Sequence, residues 1–310
     1  MKNITKLGLT ALAGSLVASA SYAGSMDVSG SAKITHKSQH EDEVTGNSFS
    51  NSKGITFSGS GELDNGYTVS TSYTMTDAAF STSQVTIDMG DMGTVGLWNG
   101  TGAAGINSYS DKVPTAGEQV WDDLDGQANG IATMSTTNTL GYSNTFAGIG
   151  VSVAYNKSAG AATDGSSKSF ALTSGDFIDG AEMGWAHADV AGSTDNNGTD
   201  SDTIYATYTA GSVTMGAQLT QIDKAAVNTD TDRQHLAVSI AVNENLSVSL
   251  GRSNVEFENA TKDDQESVGL SFSYTMGSMT IVGNSQTEDN SGGTQGTDDS
   301  VTELSVAFAF

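Results

Sequence analysis

Over most of its length this chain alternates polar and apolar residues with a period of two, and no other feature constrains its fold as strongly. In "MDVSGSAKI", Met26, Val28, Ala32 and Ile34 share one parity while Asp27, Ser29, Ser31 and Lys33 share the other. "SVGLSFSYTM" separates Val268, Leu270, Phe272, Tyr274 and Met276 from Ser267, Ser271, Ser273 and Thr275. "TELSVAFAF" sets Leu304, Val306, Phe308 and Phe310 against Glu303 and Ser305. Side chains of an extended strand point alternately to the two sides, so these segments predict strands with one apolar and one polar face.

A soluble antiparallel sheet also alternates, and two further features decide. The polar face is mostly Ser, Thr and Gly with scattered charges, which suits a wet interior better than an ordinary exterior. The connections also alternate in length. Strands are predicted at about 25–37, 53–63, 66–76, 82–90, 93–99, 135–143, 149–157, 167–174, 180–190, 202–210, 212–221, 233–243, 245–257, 265–276, 278–286 and 301–310. The segments 93–99 and 167–174 carry the weakest pattern and leave fourteen or eighteen strands as alternatives. Tight turns such as "DNG", "NEN" and "MGS" carry the Gly, Asn or Asp that short hairpins require. Long polar connections fall between them, among them "SQHEDEVTGNSFSN", the stretch 100–134 and "TEDNSGGTQGTDD".

Short ends on one side and long ends on the other are the layout of an all-β transmembrane antiparallel barrel. In hydrocarbon every backbone donor and acceptor needs an internal partner, so strands can span only as a closed ring. The composition agrees. The hydrophobic fraction of 36% is low for a soluble globule of 310 residues, and with no Cys no disulfide can staple it.

Residues 1–23 read as a secretory signal: Lys2 and Lys6, an apolar run from Leu7 to about Ala20, then small residues at Ser21 and Ala23. The run is too short for a helix that spans a bilayer. Removing it leaves 24–310 as the barrel, with ten basic and 36 acidic residues and a net charge of −26. An acidic exported chain without basic clusters is a poor partner for nucleic acid.

One stretch breaks the pattern. "PTAGEQVWDDLDGQANG", Pro114 to Gly130, holds the only Pro, one of three Trp and a knot of carboxylates, and reads as acidic and possibly helical. Strand parity places Lys33, Lys37 and Arg233 on the polar face, with His235 beside the last.

On the signal peptide, the strand count, the terminal Phe310 and the enlarged connection after the fifth strand, the mature chain resembles a Gram-negative general porin of alphaproteobacterial type. The resemblance implies a trimer of sixteen-stranded barrels in the outer membrane, in contact with outer-membrane lipid and lipopolysaccharide. It also implies that the last strand and Phe310 are read by the barrel-assembly machinery. In that family the third long loop folds into the pore. Residues 100–134 take that place here, which would make Asp111, Glu118, Asp122, Asp123 and Asp125 the acidic side of a constriction. Trp121 would pin the loop to the wall. Lys33 and Lys37 would face it, with Arg233 near the outer mouth. The family commonly sets an arginine cluster opposite the loop. This chain has only Arg233 and Arg252, so the expected pore is net negative and favours cations. An exposed acidic loop is the plain alternative.

Other motifs carry less. "GTGAAG", Gly100 to Gly105, matches the dinucleotide fingerprint, but hairpins surround it rather than the parallel crossover that the fingerprint needs. His36 and His40 would share a face only in a helix. "TDNNGTDSD" and "DDLDG" offer oxygen ligands without the twelve-residue calcium loop, so calcium is possible in the acidic loops with no ligand set to name. No catalytic arrangement is supported, and no enzyme activity is expected. The readings that compete with a passive channel are a substrate-selective channel, an outer-membrane barrel enzyme using His235, and a secreted soluble adhesin.

Overall fold

The computed structural model describes residues 25–39, 47–101, 104–126, 130–157, 165–175, 178–191 and 198–310. The signal segment, His40 and the first four residues of "TDNNGTDSD" lie outside them. Sixteen strands follow one another: β1 Ser25–Gln39, β2 Phe49–Glu62, β3 Thr68–Thr76, β4 Ala79–Asp88, β5 Thr94–Asn99, β6 Thr139–Phe146, β7 Ile149–Lys157 and β8 Ser166–Ser174. They continue as β9 Ala181–Val190, β10 Thr199–Ala210, β11 Val213–Lys224, β12 Thr231–Ala241, β13 Leu246–Phe257, β14 Gln265–Met276, β15 Met279–Asp289 and β16 Asp299–Ala309. Each pairs antiparallel with its neighbours in sequence, and β1 pairs with β16, so the sheet closes. Closure leaves no edge strand, which an isolated sheet in lipid could not tolerate.

Every predicted strand is present. The largest displacement is β6, expected at 135–143 and found at Thr139–Phe146. Its first residues are drawn into the preceding loop, where the Thr139 hydroxyl donates to the Ser135 carbonyl at 2.8 Å. The connection between β3 and β4 is the two-residue turn 77–78, short although it lies on the side of the long loops, with Asp77 at a φ of 55°. Acidic side chains tolerate that left-handed conformation better than most.

The barrel is inside out relative to a soluble protein. Ile34, Leu250, Leu270 and Leu304 are about half exposed on the outer face. Thr203, Gln218, Ser253, Gln286 and Glu288 are almost fully buried on the inner one. The parity read from sequence holds on β1, β3, β14 and β16. Arg252 points outward and pairs with Glu266 across the strand boundary at 2.8 Å.

Buried apolar residues gather inside the ring, under the long connection between β5 and β6, rather than between two sheet layers. One cluster joins Trp98, Ile106, Tyr109, Ile131 and Met134 to Ala154, Ala171, Ala186 and Tyr205 of the wall. A smaller one joins Val113, Val120 and Trp121, with Ala237 against it. No described helix is long and apolar enough to cross a membrane.

Candidate functional site: a loop laid along the inner wall

The described residues of the connection 100–138 lie inside the barrel. They bond to one another, as Asn107 does to Met134 and Gln119 to Val113, and more often to the wall. Gly105 N–H donates to Ser152 Oγ at 2.9 Å and Ile106 N–H to Ser169 Oγ at 3.1 Å, on β7 and β8. Gln218 of β11 accepts from Lys112 N–H at 3.1 Å and donates to the Tyr109 carbonyl at 2.8 Å. Ala116 and Gly117 donate to Ser249 and Ser271 at 2.8 and 3.0 Å, on β13 and β14. Glu118 and Asn284 of β15 exchange bonds: the Glu118 N–H donates at 3.1 Å and its carboxylate accepts at 3.0 Å. Farther on, Asp125 N–H donates to Asp299 at 2.8 Å and Gly126 N–H to Glu288 at 2.9 Å. The return leg is held by the Thr220 hydroxyl on the Gly130 carbonyl and by Ala132 N–H on Ser201 at 3.2 Å.

These bonds explain why the inner wall is rich in Ser, Thr, Asn and Gln. An irregular loop inside a barrel carries unpaired backbone groups, and short polar side chains satisfy them at little conformational cost. Shape completes the fit. A Cβ on Gly216 would lie 2.5 Å from Pro114, and one on Gly251 or Gly269 would lie 2.7 or 2.9 Å from Val120. The wall glycines are therefore sockets for loop side chains. In the same way Trp98 lies over Gly96, 2.3 Å from where a Cβ would stand. The loop's own Gly105, with a φ of +61°, takes a backbone conformation that L side chains rarely adopt.

The odd clause is not helical. From Pro114 to Gly126 it consists of turns and bends, and the only regular piece of the described loop is a 3-10 turn over Gly105–Tyr109. A helix would satisfy its backbone internally, whereas here the wall does so. Trp121, 1% exposed, stacks on His235 of β12 with ring centroids 4.2 Å apart. Leu124 beside it is fully buried. His235 is itself fully buried, and neither ring nitrogen has a hydrogen-bond partner among the described residues. His187 lies on the outer face, where Nδ1 meets Asp202 at 3.1 Å.

The structure brings together some of the charged residues expected at the site. Lys37 Nζ lies 2.9 Å from Asp123 Oδ1 and Lys33 Nζ lies 3.7 Å from Glu303 Oε1. Carboxylate oxygens of Glu118, Asp123 and Glu303 all lie within 4.8 Å of one another. Lys37 therefore meets the loop directly instead of facing it across a gap, while Lys33 pairs with Glu303 on the adjoining wall strand. Asp122 caps the turn before it by accepting from Gln119 N–H at 2.9 Å. Asp111 is exposed and accepts from Ser110 at 3.0 Å, and Asp125 is exposed, held through its backbone. Arg233, on β12, stands four strands from β16 along the ring and belongs to a different part of the wall. Glu303 was not singled out as a site residue, although its parity already placed it on the polar face.

Crowding of like charge shows in the loop. Burial, then the carboxylates of Glu303 and Asp123, push Glu118 up to about 7, against a smaller opposing pull from Lys33. Burial also raises Asp122, against its bond from Gln119. The three clustered carboxylates have the reach to hold a cation, but the ammonium groups of Lys33 and Lys37 already sit on two of them, so the set fits internal ion pairing better than a metal.

Comparison with known proteins agrees with this architecture. No curated protein matches the chain. Among solved structures, one titled "structure of porin refined at 1.8 Ångstroms resolution" superposes with a TM-score of 0.71 at 18% identity, covering 92% of this chain and 100% of the other. A variant of the Rh. blastica porin gives a TM-score of 0.68 at 16% identity, with 92% and 100% covered. An anion-selective porin from Comamonas acidovorans gives 0.66 at 14%, with 93% and 100% covered. At these identities the likeness is one of fold. A profile of Gram-negative porins matches residues 8–310, almost the whole chain, and the protein belongs to the Gram-negative porin family.

Proposed function

We propose that this outer-membrane barrel works as a trimeric channel for passive diffusion of small hydrophilic solutes, and that it favours cations. The observation that carries the reading is the loop along the inner wall, which narrows a hydroxyl-lined lumen and presents more acid than base to it. Along the loop, Asp111, Glu118, Asp122, Asp123, Asp125 and Glu303 outnumber Lys33, Lys37 and Lys112, whose ammonium lies over the Tyr109 and Tyr205 rings. Carboxylates in a narrow passage act strongly on ions, because field lines are confined by the low-dielectric wall. The Comamonas porin, which shares this fold, is described as anion-selective, so the barrel fold by itself does not fix the sign, and the acidic loop is what supports a cation preference here.

Trimer formation, contact with lipopolysaccharide and recognition of Phe310 by the assembly machinery belong to the same reading. Phe310 is exposed at 78%, on the apolar parity of the last strand, with its N–H bonded to the Gly30 carbonyl at 2.9 Å. Calcium in the extracellular loops remains a proposal without assigned ligands. The test is planar-bilayer conductance of unboiled protein under a salt gradient. Stepwise conductance with a cation-favouring reversal potential is expected. Insertion without conductance overturns the open channel, and an anion-favouring potential overturns the selectivity.

A further inference from the structure

The loop's contacts divide the inner wall unequally. Its described hydrogen bonds and ion pairs fall on β6–β8, β10, β11, β13–β16 and β1, Trp121 covers β12, and no described one falls on the arc β2–β4. Inward positions on that arc follow from the register. Thr56 pairs with Thr74, which pairs with Thr82. Ser58 pairs with Ser72, which pairs with Gln84. Each of the six is partly exposed. Acid enters this face only at the end of the short turns, where Glu62, Thr68 and Asp88 share a rung.

The passage therefore has two unlike banks. One is the loop, with its carboxylates and the two lysines beside them. The other is an uncharged ladder of hydroxyls with one amide. A hydroxyl both donates and accepts, and the Thr56 and Thr74 oxygens already stand 2.9 Å apart, so either can exchange its partner for a solute's. A polyhydroxylated solute sliding here trades bonds with water for bonds of similar strength, which costs little at any step. An ether of equal size offers acceptors only and leaves ladder acceptors dependent on water.

We infer that the β2–β4 arc is the specificity-determining bank for neutral polyhydroxylated solutes, with Thr56, Thr74 and Thr82 as the rung nearest the β3–β4 turn. The inference rests on the channel reading above and deepens it. It also predicts that dipolar solutes are not oriented across the pore, since no base stands on this bank.

The test compares liposome swelling by a hexose with swelling by an oligoethylene glycol of equal hydrodynamic size, each scaled to potassium conductance. The variant is Thr56→Val/Thr74→Val/Thr82→Val, which keeps shape and removes three hydroxyls. The expected result is a hexose-to-ether ratio that falls about threefold, the order expected for losing one net hydrogen bond, whatever the variant does to conductance. An unchanged ratio overturns the inference. If the triple variant does not give a heat-modifiable barrel, Thr74→Val alone serves, with a smaller fall expected and the same overturning result. Wild-type protein that inserts without conducting ions is a failure of the channel reading, distinct from conduction with an unmoved ratio.

Discussion

Glu118 gives the most exacting test of the acidic bank. It lies on the loop, its N–H and carboxylate both engaged with Asn284, and its carboxyl is held up to about 7 by burial and by Glu303 and Asp123. At pH 5.5 it is protonated, and at pH 8.5 it adds one negative charge to the narrow part of the lumen. A cation passing at about 5 Å, in a medium of effective dielectric constant about 60, gains about 1 kcal/mol. Screening at 0.1 M salt reduces this to about 0.7 kcal/mol, about threefold for the cation and, with the anion repelled equally, about tenfold in the cation-to-anion permeability ratio. Under a tenfold gradient of potassium chloride, starting from an unselective pore, that is a change of about 40 mV in reversal potential. The sign is fixed by the direction of the shift. A carboxyl raised on docking binds its proton more tightly in the docked state, so loop attachment is strongest at low pH and weakens as pH rises through about 7. Cation preference should therefore climb between pH 6 and 8, and the same interval should bring more current noise. Glu118→Gln should flatten both. A reversal potential that is constant from pH 5.5 to 8.5 in the wild type, or a step that survives in Glu118→Gln, would refute the argument.

Three further outcomes follow from the contacts. Trp121→Ala removes the ring from His235 and should loosen the loop by about 2–4 kcal/mol, read as faster protease nicking within 114–126 while heat-modified gel mobility is kept. Gly251→Leu fills the socket of Val120, so it should displace the loop and widen the distribution of single-channel conductances, whereas Gly198→Leu, whose Cβ would meet nothing nearer than 3.6 Å, should not. Leu270→Arg places a charge on the lipid face at a cost of about 2–4 kcal/mol, which should reduce the yield of folded barrel in lipid vesicles.

Much of this protein could be read from the chain because its dominant information is local. A period of two between Ser267 and Met276, or between Val301 and Phe310, states which side chains share a face whatever lies next to them. Sixteen such segments with alternating connections leave little besides a closed ring, once hydrocarbon forbids unpaired backbone. Lys33, Lys37 and Glu303 were assigned to the inner side by parity alone, and the structure places them there.

What parity could not supply is the partner across the lumen. Glu118 meets Asn284 across 166 positions and Gly126 meets Glu288 across 162. Such pairs exist only after the last strands have closed on the first, and no local pattern encodes them. The same reason explains the misread clause. Its acids and its Trp suggest a helix by composition, but the wall offers Ser249, Ser271 and Asn284 to its backbone, and external partners displace internal ones. Arg233 shares parity with Lys33 and was grouped with it, yet the order of strands around the ring sets them apart. Local alternation encodes the strands, their inner and outer faces and the need to close. Where the loop lies on the wall, which charges it meets and which bank it leaves bare follow from the closed curvature of the whole sheet, which no single segment carries.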